Sequence, residues 1–405
     1  MVAQASPVLG RPSALAALRV PAYRWWFASQ VLSGAGNMAQ AVGLAWLVLG
    51  LGGNGIDLGL LGAATFGPVL LLGPWAGVLL DRTDHRRVLI TTQVLFLSVS
   101  AVLAVLTAAG AVRLWSVFAL ALISGVVFAV DSPARQVYVL ELVGPERTAS
   151  AVGLFEVIVN ASRVLGPAVG GVLIATVGVS SCFAVNAASF LPPLAALLAF
   201  TPAYPPEREP GGRGLAAISE GLRYVAASPA LVATLVMAVA AGMLFNLGVA
   251  LPVLATRVFH VGSAGYGGLM AAFGLGAIPG ALAAGRNEGP PDGRRVRGLC
   301  ALTGVVVLLT AAAPTPLLAF AGLAVTGFVS IWFIALANTL VQLRTATRLR
   351  GRVLSLWSMA LPGMNPVTGI VAGAATQLAG ARVGFGLAGV GLLAAAAGGW
   401  RALAR

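Results

Sequence analysis

Glu156, Asn160 and Arg163 stand four and three residues apart inside one long apolar run, a spacing that puts all three on one face of a helix. An ion at mid-membrane costs about 2.5–3.5 kcal/mol on insertion scales, so it is expected to face a cavity and to have a partner. Glu156 and Arg163 are about 10 Å apart along a helix axis, so Asn160 or water would bridge them. A carboxylate there can exchange a proton, and a guanidinium beside it can tune that proton or hold an anionic substrate. A static polar link to a neighbouring helix explains the same residues, and for Glu156 so does a solvated place near the cytoplasmic end. No other acidic residue is expected deep in a helix.

The remaining polar groups in apolar runs are few. Gln30, Asn37 and Gln40 fall in the first run, Asn246 in the seventh, Trp332 and Asn338 in the tenth, and Trp357 and Asn365 in the eleventh. Each amide either lines a substrate cavity or bonds a neighbouring helix. Cys182 and Cys300 lie far apart in apolar segments, which argues against a disulfide framework or a metal site. The only histidines, His85 and His260, are expected in loops, and no His/Cys cluster exists for an enzyme. The chain has no Lys, so no phosphate-binding Gly-x-x-x-x-Gly-Lys-Ser/Thr loop is possible and ATP-driven transport by this chain alone is excluded. Gly274-Leu-Gly276-Ala-Ile-Pro279-Gly280 lies inside an apolar span with no strand before it, so it is no nucleotide fingerprint. No cofactor is expected.

The elements that must hold these residues are membrane helices. Of 405 residues 59% are hydrophobic and 9% charged, with mean hydropathy +0.94; soluble domains carry about 25% charged residues. A crossing needs about 20 mostly apolar residues. Twelve segments qualify: Trp26–Gly50, Leu58–Leu80, Val88–Ala109, Leu114–Val130, Ala149–Ile174, Cys182–Phe200, Leu231–Val253, Gly265–Ala284, Leu299–Ala313, Leu317–Leu340, Val353–Leu378 and Val383–Ala397. Every basic residue is Arg. All but Arg113, Arg163, Arg257 and Arg382 fall on one side of the membrane if the segments alternate, which puts both termini in the cytoplasm. The net charge of +13 follows from these short loops; it is spread too widely for a nucleic-acid surface. The first 21 residues have no apolar core followed by a cleavage site, so no cleaved signal peptide is expected.

Residues 201–228, rich in Pro, Gly and Arg, divide the chain into six-helix bundles over 1–200 and 229–405. Within this linker Leu215–Ala226 has the spacing of a short helix on the membrane surface. The halves echo one another at an offset of about 205 residues, as transporter repeats do.

Three motifs carry a family resemblance. Gly77-Val-Leu-Leu-Asp81-Arg82-Thr-Asp84-His85-Arg86-Arg87 resembles the loop signature that follows the second helix in the major facilitator superfamily; Gly77, Asp81, Arg82 and Arg86 match, while Asp84 and His85 depart from it. Asp131-Ser-Pro-Ala-Arg135-Gln136, Glu141-Leu-Val-Gly-Pro and Asn338-Thr-Leu-Val-Gln342-Leu-Arg344 are similar to the exporters that include the enterobactin exporter and the macrolide efflux proteins. Gly166-Pro167-x-x-Gly170-Gly171 resembles the superfamily's antiporter signature, with Ser162 where the first Gly usually stands. Ordinary small-residue packing explains Gly170 and Gly171 equally well.

The resemblance implies an all-α membrane protein of twelve helices in two pseudo-symmetric halves. It implies a gating latch in which Asp81 accepts from the start of the eleventh helix near Arg352–Val353, while Arg82 pairs with Asp131 and Arg86 and Arg135 lie nearby. The expected function is a secondary transporter, a monomer in the bacterial inner membrane, that exports a small amphipathic or siderophore-like compound in exchange for protons. An importer or lipid-moving carrier of the same fold is the alternative.

Overall fold

The computed structural model describes residues 15–80, 82–204, 220, 222–244, 247–285, 291–346, 349, 353–354, 356–357, 360 and 363–403. Every regular element among them is helical: α1 (Pro21–Gly50), α2 (Gly55–Leu80), α3 (His85–Ala108), α4 (Leu114–Val143), α5 (Thr148–Thr176), α6 (Ser180–Ser189), α7 (Leu191–Ala199), α8 (Pro229–Leu244), α9 (Leu247–Val253), α10 (Gly262–Gly285), α11 (Gly293–Ala311), α12 (Pro316–Arg344), α13 (Asn365–Ala379) and α14 (Ala381–Gly398). Helices α6 and α7 form one crossing, as do α8, α9 and the π turn Leu254–Val258. Ten stretches of the described residues are long and apolar enough to cross a bilayer. The remaining two expected crossings, the ninth and eleventh, coincide with α11 and α13. Trp75, Trp115, Leu317 and Leu378 stand largely exposed on the outside, an apolar surface that needs lipid rather than water.

Local chemistry accounts for where the helices depart from the apolar runs. Asp84 caps α3 by accepting from the Arg87 N–H at 3.1 Å, and Asp292 caps α11 by accepting from the Arg294 N–H at 3.2 Å. Each cap carries its helix past the apolar run into the basic residues, so His85, expected in a loop, is the first residue of α3. The sixth crossing breaks at Phe190, where Pro192 and Pro193 offer no N–H to the preceding turn. The eleventh turns at Gly363–Met364 and restarts at Asn365, ahead of Pro366. Half of the expected surface helix Leu215–Ala226 lies outside the described residues; Glu220 and 222–226 are helical.

In the first six crossings α1 packs on α5, α2 on α4, and α3 on α4 and α6; in the last six α10 packs on α12 and α11 on α12 and α14. Two seams join these groups, α5 along α10 and α2 along α13. The ends of the described chain, residues 15–20 and 399–403, together with residues 82–84, 144–147 and 345–346, lie at one end, here the terminal end. Residues 51–54, 177–179, 259–261 and 380 mark the opposite, distal end.

The α10–α12 contact is backbone on backbone. Any Cβ at Gly276 would overlap the Ala324 carbonyl, and one at Gly327 would overlap that of Phe273. Gly276→Val is therefore expected to destabilise the protein by about 1–3 kcal/mol through overpacking, seen as a lowered thermal unfolding midpoint in detergent. Gly298→Val, facing open space on α11, is the control.

Candidate functional site

Helix α5 is wedged between α1 and α10, and its small residues serve both sides. A methyl at Gly166 would stand 2.6 Å from the Ala35 carbonyl oxygen and one at Gly170 3.1 Å from Ala39 Cα, both on α1. A methyl at Gly171 would stand 3.0 Å from Gly267 Cα on α10. Ser162 donates to the Ile158 carbonyl at 2.8 Å and packs against Gly34 across the α1 contact. The small-for-small departure at Ser162 thus fits, because its partner is itself a glycine. Pro167 has no N–H to offer the Arg163 carbonyl one turn back. Helix α10 packs close there, with a methyl at Gly274 reaching 2.8 Å from that oxygen.

The second seam repeats the arrangement. Methyls at Gly55 and Gly59 would stand 2.7 and 2.6 Å from the carbonyl oxygens of Gly373 and Gly369, and Gly55 N–H donates to Gln377 Oε1 at 3.4 Å. The close contacts of both seams lie in the distal and middle parts of the helices. At Gly153 and Gly285, the terminal-end glycines of α5 and α10, a methyl would meet nothing within 4 Å.

Arg163 and Asn160 are half-buried on α5, and the Arg163 backbone lies against α10. Glu156 is two turns nearer the terminal end on the same helix; its side chain lies outside the described structure.

The expectation that no other acid lies deep in a helix is overturned. Helix α4 does not stop at Val130 but continues through Pro133 to Val143, and Asp131 within it is fully buried. Its Oδ1 accepts from Thr92 Oγ1 at 2.7 Å and from Gln93 Nε2 at 3.1 Å, both on α3. Its Oδ2 pairs with Arg135 one turn on, and Arg135 also donates to Gln30 Oε1 on α1. Both oxygens are thus engaged. Arg82, exposed in the turn before α3, does not make the pairing with Asp131 that the resemblance implied, because that carboxylate lies two turns deeper along α3. Asp81 and Arg352 lie outside the described residues.

Two further contacts tie the terminal end together. His85 Nδ1 and Glu141 Oε1 meet at 2.5 Å, both well buried, joining α3 to α4. Arg86 Nε donates to the Leu197 carbonyl at 2.6 Å and its Nη2 to that of Leu198 at 3.0 Å, at the end of α7. In the second group Arg297 Nη1 donates to the Trp400 carbonyl at 3.1 Å, beyond α14, so a basic residue of the third helix closes the sixth in both.

The amides divide. Asn186 on α6, which the sequence reading did not single out, donates to Asn37 Oδ1 at 3.3 Å, Gln40 Oε1 at 3.0 Å and Ser100 Oγ at 3.2 Å. Asn37 and Gln40 therefore tie α1 to α6. Asn338 accepts from Gln342 of its own helix at 3.2 Å and is half-buried. Trp332 lies beside Phe328 and beneath the Arg295 guanidinium, 5.3 Å from its ring centre. Trp357 and Asn365 are buried, Trp357 in the apolar core. Asn246 lies outside the described residues. A scan for every amide in an apolar run would have found Asn186 and Gln93 with the rest. Thr92 and Ser100 carry no such mark, since hydroxyls are common in membrane helices.

The family model described as "Transmembrane secretion effector" matches residues 12–403. The staphyloferrin A transporter of Staphylococcus aureus is 34% identical over 40% of this chain and 42% of its own length. The enterobactin exporter EntS of Citrobacter koseri is 33% identical over 62% of each, and the multidrug efflux pump Tap of Mycolicibacterium fortuitum 29% identical over 87% of this chain and 88% of its own. The aligned stretch thus spans less than two thirds of the first and second of these relatives. Among solved structures the fold is shared with the nucleoside transporter NupG, at TM-score 0.72, 12% identity and coverage of 94% of this chain and 99% of that one. It is shared too with a bacterial homologue of the human lysosomal transporter Spinster in an inward-facing, unoccupied conformation, at TM-score 0.72, 14% identity and 98% coverage of each. These are membrane transporters, not enzymes, and the chain belongs to the transmembrane secretion effector family of the major facilitator superfamily.

Proposed function

We propose that this protein exports a small amphipathic compound, drug-like or siderophore-like, from the cytoplasm in exchange for protons, by alternating access. Residues 1–200 and 229–405 are the two moving units, joined by the linker 201–228, and the chain works as a monomer in the bacterial inner membrane with both termini in the cytoplasm. One observation carries this reading: the backbone-on-backbone contacts of both seams lie in their distal and middle parts, and the terminal-end glycines of α5 and α10 meet nothing. That is the geometry of a carrier closed at its distal end and open toward its termini. The arginines crowded at the terminal end make that end cytoplasmic. Siderophore and drug exporters among the relatives support the substrate class.

Arg163 is the cationic group of the space between the units, with Glu156 as the carboxylate that exchanges a proton there and Asn160 as their polar bridge. Gly171 and the Pro167 turn form the seam on which α5 moves, and Gly166 and Gly170 hold α5 to α1 within its own unit. Gly77, Asp81, Arg82, Arg86, Asp131 and Arg135 belong to the terminal-end region that closes when the distal end opens. Of the amides and aromatics, Asn338 and Trp332 are half-buried on α12 and are the better candidates for substrate contact; Asn246 is a further candidate from the sequence.

In everted vesicles with an imposed pH gradient, Glu156→Gln is expected to abolish the gradient-driven part of efflux, and Arg163→Ala to lower efflux about tenfold or more. Gradient-driven efflux that survives Glu156→Gln would end its coupling role. Opening of the distal seam has its own readout. Ser263, buried where Gly171 meets α10, becomes reactive to a membrane-impermeant maleimide as Ser263→Cys when substrate and gradient are both supplied. Cys182 and Cys300 are buried and give a low background. Labelling that does not respond to either would argue against alternating access.

A further inference from the structure

Resting on the proton-coupled reading above, we propose that Asp131 is a second proton-exchanging carboxylate, lodged inside the first six-helix group rather than at the seam, with Arg135 as its positioning partner. The interior of that group is polar along its length. Helix α1 contributes Gln30, Ser33, Asn37 and Gln40 at spacings of three and four, α3 contributes Gln93 and Ser100, α4 Asp131 and Arg135, and α6 Asn186 and Ser189. Hydrogen bonds join Gln30, Arg135, Asp131, Thr92 and Gln93 at one level, and Asn37, Gln40, Asn186, Ser100 and Ser189 at the next. The described residues of the second six-helix group show nothing comparable. Among the described residues the only buried acids are Asp131 and Glu141, and the buried polar side chains of α8–α14 are hydroxyls and Asn365.

Three polar atoms beside the ion pair have no protein partner among the described residues: Gln30 Nε2, Ser33 Oγ and Gln93 Oε1, on side chains 2%, 0% and 0% exposed. Buried polar groups are satisfied by ordered water where protein does not serve. A donor, a hydroxyl and an acceptor on facing helices give such water a hydrogen-bonded place next to the carboxylate. The group is therefore buried from bulk solvent yet within reach of a proton carrier.

Its surroundings allow two charge states. Among the described residues Arg135 is the charged side chain paired with it; α1 and α3 present Gln30, Thr92 and Gln93, and α2 and α5 present Leu80, Ala151 and Leu154 to the adjoining apolar cluster. The next titratable pair, His85 with Glu141, is engaged with itself ten residues along α4, about 15 Å away. When Asp131 is ionised, Arg135 ties it to Gln30 and so ties α4 to α1. A proton relayed through the adjoining water, which takes one up from solvent as it gives one, adds to Oδ2; the ion pair is lost, Thr92 and Gln93 still serve Oδ1, and Arg135 stays on Gln30. Deprotonation returns the proton to the same water.

The test uses the full-length protein with ethidium as probe, in everted vesicles and as purified protein in nanodiscs. Asp131→Asn keeps the shape and most hydrogen bonds but cannot titrate. It is expected to cut gradient-driven ethidium accumulation about tenfold or more, and Asp131→Glu restores part of the gradient response. A pH-dependent infrared carboxyl band of the purified protein is expected to vanish in Asp131→Asn and persist in Glu156→Gln. Wild-type gradient response in Asp131→Asn, or an unchanged band, overturns the proposal. If the wild type itself ignores the gradient, antiport fails as a reading, and the infrared titration alone decides whether Asp131 takes up a proton. Should Asp131→Asn not fold, a shifted band midpoint in Asp131→Glu upholds the assignment and an unshifted one removes it.

Discussion

The structure turns on helix backbones that touch with no side chain between them. In lipid, apolar surface gains nothing by leaving the surrounding hydrocarbon, so helices associate through close packing and polar contacts instead. Gly171 against Gly267 and Gly59 against Gly369 bring the two six-helix groups together in this way. Such contacts depend steeply on distance and require no ion pair to be broken when they part. Helix α5 carries the constraint on two faces, with Gly166 and Gly170 set on α1 and Gly171 and the Pro167 turn set on α10. It is the one element that belongs equally to a stable bundle and to a separable seam.

The two groups are alike at their ends and unlike in their interiors. Asp84 and Asp292 cap corresponding helices, and Arg86 and Arg297 close the last helix of each group. These contacts solve a problem common to both groups, the unmet N–H and C=O groups at helix ends. Inside, among the described residues, the first group holds an ion pair and a line of amides where the second holds Asn365, aliphatic side chains and hydroxyls, several bonded to their own backbone. Duplication accounts for the shared ends; it gives no reason for the polar interior of one group alone.

Most of the fold was legible as apolar runs and alternating arginines, because a bilayer leaves the chain few ways to satisfy its backbone. The limits of that reading show at α4. Asp131-Ser-Pro133 looks like the start of a loop, since it combines a charge with a helix-breaking residue, yet the helix continues through it. What buries Asp131 comes from Gln30, Thr92 and Gln93, which are 38 to 101 residues away in sequence, and no local pattern announces them. The motif on α5 was readable because its residues adjoin. The link from Asn37 and Gln40 to Asn186 was not, because the partner sits almost 150 residues on.

Stability alone is a poor reason for a buried ion pair. Removing two charges from water costs several kcal/mol each, and replacing such a pair by apolar residues of like volume is often neutral or stabilising, whereas removing one partner costs about 3–5 kcal/mol. A well-packed group of membrane helices has no need of Asp131 and Arg135 to hold its shape, as the second six-helix group illustrates with hydroxyls and aliphatic side chains. What the pair adds is a difference between two states of the same structure. With the carboxylate charged, Arg135 is fixed between Asp131 and Gln30 of α1; with it neutral, Arg135 keeps Gln30 alone while the hydrogen bonds to α3 remain. A carrier that couples one motion to one ion needs such a difference, and it needs it beside α1, the helix that shares its other face with α5 and, through α5, with the seam.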